Sequence, residues 1–344
     1  MMTKKTQGWV LVLMGVLFFA MGFLSHPPVA PAQDKTIVWN IPHTAAPTYY
    51  HIVNLKLFAE KVKEKSKGRM EIRVHPASSL YPQQEQIPAV VEGRVEIAPI
   101  LTSYMTDLFL PMAVLELPFM TSSLDEHRAA MEKLRPFYIE QLSKKGILLL
   151  AISTWPTQQM FSTKKPMAKV EDWKGMKIRV YGTETAEMAK ALGGAPVNIP
   201  FAEVYTALQR GVADAAVTSA TNAEAMRFSE VAKYINYWFV GGGACEFLGA
   251  NRKAWNALPA DLQQVVWDSL KEVRFEEKEW EDAKALDANA KKRCIELGMT
   301  VIEVSKEEIA KARKAVKPAW EAWLKRTGPE GKKALELATK ALGR

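Results

Sequence analysis

From Thr36 onward, short apolar runs alternate with stretches whose apolar residues recur every three or four positions, an α/β pattern. Thr36–Ile41 is expected as a first strand. The next helix is expected over Tyr50–Ser66, with Ile52, Leu55, Phe58, Ala59 and Val62 on one face and Gly68 ending it. Met70–His75 alternates as a strand, Gln83–Glu92 is helical up to Gly93, and Val95–Pro99 is a short buried strand. A second round predicts helix Glu126–Leu142, strands Ile147–Ser153 and Lys177–Tyr181, and helix Glu184–Leu192. Strand Ala195–Ile199, helix Phe201–Arg210 and strand Ala213–Val217 follow.

The last third differs. From Pro259 neither Gly nor Pro occurs until Gly298, and Ala, Leu, Glu and Lys dominate. At ~1.5 Å per residue this stretch makes a helix of ~57 Å, longer than one domain is wide. It reads either as one helix lying across two domains or as a kinked pair of ordinary helices. Met299–Val304 is expected as a strand, followed by a final amphipathic helix around Lys306–Leu324.

With 344 residues, 48% hydrophobic and 24% charged, the chain is neither disordered nor a disulfide scaffold, and its length suggests two domains. A polytopic membrane protein is excluded, because one apolar run alone, Trp9–Leu24, approaches spanning length. Lys4 and Lys5 precede that run, and Ala30 and Ala32 follow it as the small residues of a cleavage site. Residues 1–32 therefore read as a secretory signal peptide, with the mature chain starting near Gln33; an uncleaved N-terminal anchor is the alternative. The net charge of +8 is scattered among acids, with no basic block carrying interleaved aromatics, so nucleic acid is not expected as a partner. Cys245 and Cys294 would reach an oxidising compartment, where a disulfide is permitted but not decided by sequence.

Catalytic signatures are missing. None of His26, His43, His51, His75 and His127 sits at metal-ligand spacing, and there is no nucleophile elbow, phosphate loop or dinucleotide fingerprint. Gly241-Gly242-Gly243 leads into a strand, not a phosphate-binding helix. A Cys–His pair is conceivable, but Cys294 lies inside the long helical stretch. No catalytic residue, metal or cofactor is expected, and an enzyme reading has little to stand on.

The specific signal is an ordered series. Asp172-Trp173-Lys174-Gly175-Met176-Lys177-Ile178-Arg179-Val180 leads to Ala191-Leu192-Gly193-Gly194-Ala195-Pro196-Val197 and then to Pro200-Phe201 through Asp214. Phe58–Val62, Gly68–Ile72, Val91–Ile97 and Leu117-Pro118-Phe119 precede it, and Asn251–Pro259 follows. In this order the chain resembles the solute-binding proteins of TRAP (tripartite ATP-independent periplasmic) transporters, the DctP type. Each piece is weak alone; the ordered series covers nearly all of the mature chain.

The resemblance implies a two-lobed periplasmic binding protein fold of the α/β class, with a long helix spanning both lobes and a ligand cleft between them. Lobe I would comprise residues 33–156 and about 247–286; lobe II would comprise 157–246 and about 287–344. It implies a periplasmic, non-catalytic receptor for a small organic acid and a TRAP permease as membrane partner. A ligand-sensing module for a membrane sensor and, less favoured, a periplasmic enzyme stay open as alternatives. The oligomeric state is undecided.

By the same resemblance Arg179 takes the place of the arginine that pairs with a ligand carboxylate, a task suited to a planar, permanently charged fork. Gln159 stands where many members carry a second arginine, and Thr218 where many carry an asparagine. Phe201 matches the aromatic that packs on the ligand. Trp155, Tyr104 and Tyr49 are aromatic candidates for the wall, with core packing as the alternative, and Thr44 is a polar contact from the opposite lobe. Ser219 and Asn222 either reach the cleft or cap a helix. Leu101 falls where sugar-acid binders place a carboxylate, so a less charged pocket and a small monocarboxylate are expected.

Overall fold

The computed structural model describes residues 35–102, 109–199 and 203–344, and Thr36–Arg344 form one compact unit. The signal-peptide reading, Tyr104 and Phe201 lie outside the described residues.

Lobe I opens with β1 (Ile37–Pro42), α1 (Tyr50–Lys65) and β2 (Met70–His75), and β1 and β2 pair in parallel. Helix α1 buries Ile52, Leu55, Phe58, Ala59 and Val62, the stripe its periodicity predicts. Then come α2 (Gln83–Glu92), β3 (Ile97–Leu101), a 3₁₀ segment over Leu110–Glu116, α3 (Leu124–Lys144) and β4 (Ile147–Thr154).

The chain crosses to lobe II between Thr154 and Gln158. There β5 (Gln158–Ser162), β6 (Lys177–Val180), α4 (Thr183–Ala191), β7 (Ala195–Asn198), α5 (Val204–Gln209), β8 (Ala215–Ser219), α6 (Ala220–Ala225) and β9 (Tyr234–Gly241) follow in order. It returns through Gly242-Gly243-Ala244 into β10 (Cys245–Asn251), the middle strand of a β3-β10-β4 sheet, and then α7 (Arg252–Ala257). The lobe II sheet runs β11-β9-β5-β8-β6-β7, with β11 (Thr300–Glu303) added at its edge.

The helical stretch after Pro259 is a pair, α8 (Ala260–Glu272) and α9 (Phe275–Glu296), broken at Arg274, whose backbone is left-handed (φ 51°, ψ 46°). Helix α9 still spans both lobes by itself. Its Phe275 and Trp280 pack in lobe I cores, and its Ala290 and Cys294 pack in a lobe II core with Val204, Leu208 and Phe228. The final helix is also divided, into α10 (Lys306–Ala315) and α11 (Lys317–Ala341), and α11 passes a non-helical Gly328 rather than ending near Leu324. Trp323, Ala334 and Ala338 of α11 pack with Leu134 and Phe137 of α3, while Trp320 also packs against the core of Trp173, Ile178 and Trp238. Among the described residues no helix is long and apolar enough to cross a membrane.

The two crossing strands touch. Thr154 pairs with Cys245 on one side and Gln158 with Gly241 on the other, and the Trp155 amide donates to the Ala244 carbonyl at 3.0 Å. This contact explains Gly243, and the packing of His127 explains Gly242. A Cβ on Gly243 (φ +90°) would stand 2.0 Å from the Trp155 carbonyl oxygen, and one on Gly242 2.3 Å from Nδ1 of His127.

Candidate functional site

In lobe II, β6 is parallel to both β7 and β8, and the carboxyl ends of such strands are where open α/β sheets hold ligands. A cavity of about 490 Å³ lies there, within the range of small-molecule sites. Arg179, Tyr181, Thr218, Thr221, Asn222 and Ala225 form its lobe II wall. Thr44, Ala45, Ala46, Tyr49, Gln83 and Leu101 form the lobe I wall, and Trp155, Gln158 and Ala244 come from the crossing segments.

Arg179 is 4% exposed. Its Nε donates to the Ile199 carbonyl at 3.0 Å and its Nη1 to the Val217 carbonyl at 2.8 Å, so the ends of both flanking strands set the guanidinium plane. Both of these acceptors are neutral carbonyls, and they fix the orientation of the guanidinium. Arg179 also lies over the Tyr181 ring, 5.8 Å from its centroid. The hydroxyl of Thr221 is buried without a hydrogen-bond partner among the described residues, and Asn222 Nδ2 donates weakly to Thr218 Oγ1 at 3.4 Å.

Of the residues proposed from sequence, the cavity brings together Arg179, Thr218, Asn222, Trp155 and Thr44, with Tyr49 and Leu101. Two fall elsewhere. Gln159 is turned into the protein: its Oε1 accepts from the Phe239 amide at 2.9 Å and its Nε2 donates to Thr157 Oγ1 at 3.0 Å. Neighbouring strand residues point to opposite faces, and it is Gln158 that lines the cavity. Ser219 is a helix cap, its hydroxyl accepting from the Asn222 amide at 3.1 Å, and it is not in the wall.

Sequence reasoning missed Tyr181, Thr221, Gln158 and Gln83, none of which carries a motif. It also missed a buried polar network behind the lobe I wall. Glu246 accepts from His43 Nε2 (3.2 Å) and Trp155 Nε1 (2.9 Å), while His51 Nδ1 pairs with Glu279. Burial works against ionisation of Glu246, but the adjacent His43 and His51 and these hydrogen bonds outweigh it and hold its carboxyl below the usual range. Burial likewise opposes protonation of His51, yet Glu279 and Glu246 raise its pKa overall.

His43, His51 and Glu246 also place one ligand atom each within 4.8 Å of one another, the outline of a metal site. The tautomer argues against it. The Ala45 amide donates to Nδ1 of His43 at 3.0 Å, so Nε2 carries the proton and its lone pair is not available to a cation. A Cys–His pair does exist, between Cys245 Sγ and His127 Nε2 at 3.2 Å. Burial pushes the thiol well up and the imidazole down to about 3, which leaves a neutral pair, the reverse of an activated nucleophile. Both cysteines are free and buried, in different cores.

The family model for bacterial extracellular solute-binding proteins, family 7 (DctP), matches residues 41–327. The chain belongs to this family. It is 32% identical to a solute-binding protein of Albidiferax ferrireducens over 76% of this chain and 78% of that one. It is 26% identical to the C4-dicarboxylate-binding periplasmic protein DctP of Rhodobacter capsulatus, over 90% and 93% of the two chains. Among solved structures it is similar to DctP7 of Bordetella pertussis, an extracytoplasmic solute receptor binding pyroglutamic acid (28% identity, TM-score 0.77, covering 88% of this chain and 99% of that one). DctP6 of the same organism, also binding pyroglutamic acid, is similar at 26% identity and TM-score 0.78, with the same coverage. Family membership makes this chain an extracytoplasmic solute-binding protein with the two-lobed architecture described above.

Proposed function

We propose that this member captures a small organic monocarboxylate between its lobes and delivers it to a TRAP-type permease, without catalysing a reaction on it. The observation that carries this reading is Arg179, a buried guanidinium set into the cavity wall by two backbone carbonyls. One ligand carboxylate would meet Arg179, with Thr218, Thr221 and Asn222 as neutral hydrogen-bonding neighbours. The aromatic surface of Tyr49 and Trp155 and the apolar Leu101 suit a compact, partly apolar remainder. Pyroglutamic acid, the ligand named for two similar receptors, has this character: one carboxylate, a small ring and an amide. Residues 1–32 serve in this reading as the cleavable signal that exports the receptor to the periplasm.

The test is a thermal-shift screen against pyroglutamate, lactate, pyruvate, benzoate and succinate, each with its amide, repeated with Arg179→Ala. A ligand that binds only the folded state raises the melting temperature by mass action. Acids should stabilise and amides should not. Losing one partner of a buried charge pair costs ~2–5 kcal/mol, so Arg179→Ala should weaken binding by about 30-fold or more. Equal shifts in the variant would remove Arg179 from the site.

A further inference from the structure

The lobe I wall is held from behind. Glu246 lies on β10, 6% exposed, and is not one of the residues lining the main cavity. One carboxylate oxygen accepts from Trp155 Nε1 at 2.9 Å and the other from His43 Nε2 at 3.2 Å. His43 in turn accepts from the Ala45 amide at 3.0 Å. The chain Ala45–His43–Glu246–Trp155 thus begins and ends on cavity-lining residues and runs between them through the interior.

We propose that Glu246 is a positioning residue for ligand capture, which fixes the Trp155 indole as a wall of the cavity and is itself fixed by His43. This rests on the reading of the cavity as the carboxylate site. The indole has one donor, and Glu246 gives it a charged acceptor, a stronger hold than a neutral one. The tautomer of His43 is set by Ala45, so its proton points at Glu246 and not at a second acceptor. Trp155 also stacks on Tyr49, with ring centroids 5.3 Å apart and planes at 27°, so a rotated indole would displace a second wall residue. Because Trp155 sits on a segment that crosses between the lobes, its placement couples the wall to the hinge.

A double-mutant cycle with Glu246→Gln and Trp155→Phe tests this, using the acid of the panel above that gives the largest thermal shift. Gln at 246 offers one oxygen to two donors, and Phe at 155 keeps an aromatic ring without the N–H. Each single variant should weaken binding at least tenfold, and the double variant should lie within about twofold of the weaker single one. In ligand-free ¹H–¹⁵N spectra, the indole N–H resonance missing from Trp155→Phe should shift in Glu246→Gln.

Losses that multiply in the double variant, or an unmoved indole resonance, overturn the inference. Should Glu246→Gln fail to fold, His43→Gln is the second variant, with the same tenfold loss expected and wild-type affinity overturning it. Arg179→Ala separates the two failures. If it abolishes binding while the cycle is additive, only the positioning role falls; if it binds like wild type, or no acid binds, the site reading falls and takes this inference with it.

Discussion

Asp287 of the lobe-spanning helix α9 clasps Thr157 on the first crossing strand: its Oδ2 accepts from the Thr157 amide at 2.9 Å and from Oγ1 at 2.5 Å. The chain continues from Thr157 Oγ1 through Gln159 Nε2 and Oε1 to the Phe239 amide on β9. Helix, first crossing segment and second crossing segment are therefore joined by side chains where the chain passes between the two sheets. The other oxygen of Asp287 is buried without a hydrogen-bond partner among the described residues.

That orphan oxygen makes the clasp sensitive to pH. Burial raises the Asp287 pKa to about 6, against the opposing hydrogen bonds from Thr157. The folded state then holds a proton that the unfolded chain has released near pH 4. Between pH 4 and 6 the unfolded state binds fewer protons, so this group's contribution to stability is present at low pH and lost as pH rises. The amount is on the order of 3 kcal/mol. Asp287→Asn mimics the protonated acid and removes the dependence. Urea denaturation of both proteins at pH 4 and pH 7 should show the variant gaining on wild type as pH rises. A constant difference across that range would contradict the assignment.

Gly243 sets the distance between the crossing strands. Gly243→Ala combines a positive φ with a Cβ 2.0 Å from the Trp155 carbonyl, a backbone atom that cannot swing aside. A loss of about 3 kcal/mol or more is expected. Gly241→Ala, where nothing lies within 4 Å, should cost about 1 kcal/mol or less. Equal denaturation midpoints for the two variants would mean the strands can separate freely.

Much of the fold was legible because burial imposes a period. The stripe on α1 and the βα alternation of lobe II follow directly from where apolar residues fall. A kinked pair after Pro259 was one of the two readings the sequence allowed, but the position of the break was not legible, since a non-glycine residue, Arg274, takes the left-handed conformation there and no Gly or Pro marks it. The length of α11 was not legible either, because Gly328-Pro329 kinks this helix without ending it. Arg179 and Thr218 came from the resemblance, whereas Glu246 met His43 only through a contact 203 residues long in sequence. At Gln159 an error of one residue decides the face, and β5 carries a register irregularity between Gln158 and Met160 that counting cannot see.

Gln159 and Gln158 should consequently behave as opposites. Gln159→Leu removes the acceptor of the Phe239 amide and should destabilise by about 1–3 kcal/mol. Gln158→Ala removes a lining side chain and should alter affinity with little change in stability. Denaturation and calorimetric titration of both variants separate the roles, and a selective affinity loss in Gln159→Leu would return that residue to the site.

Charge count in the wall makes the last prediction. Among the described lining residues Arg179 is the single cation, and the lobe I wall offers Thr44, Tyr49, Gln83, Leu101 and Trp155, with the Glu246 carboxylate behind Trp155. A dicarboxylate with one end on Arg179 must bury its other end on this wall, without a counter-charge and towards an anion. An uncompensated buried charge costs several kcal/mol, or is avoided by leaving the site open. Succinate should therefore bind at least tenfold more weakly than its monoamide, which keeps one carboxylate and replaces the other with a neutral group of the same shape. Calorimetric titration at pH 7 measures the ratio. Succinate binding as tightly as the monoamide would require a second cation at the wall and would align this receptor with its dicarboxylate-binding relative rather than with the pyroglutamate receptors.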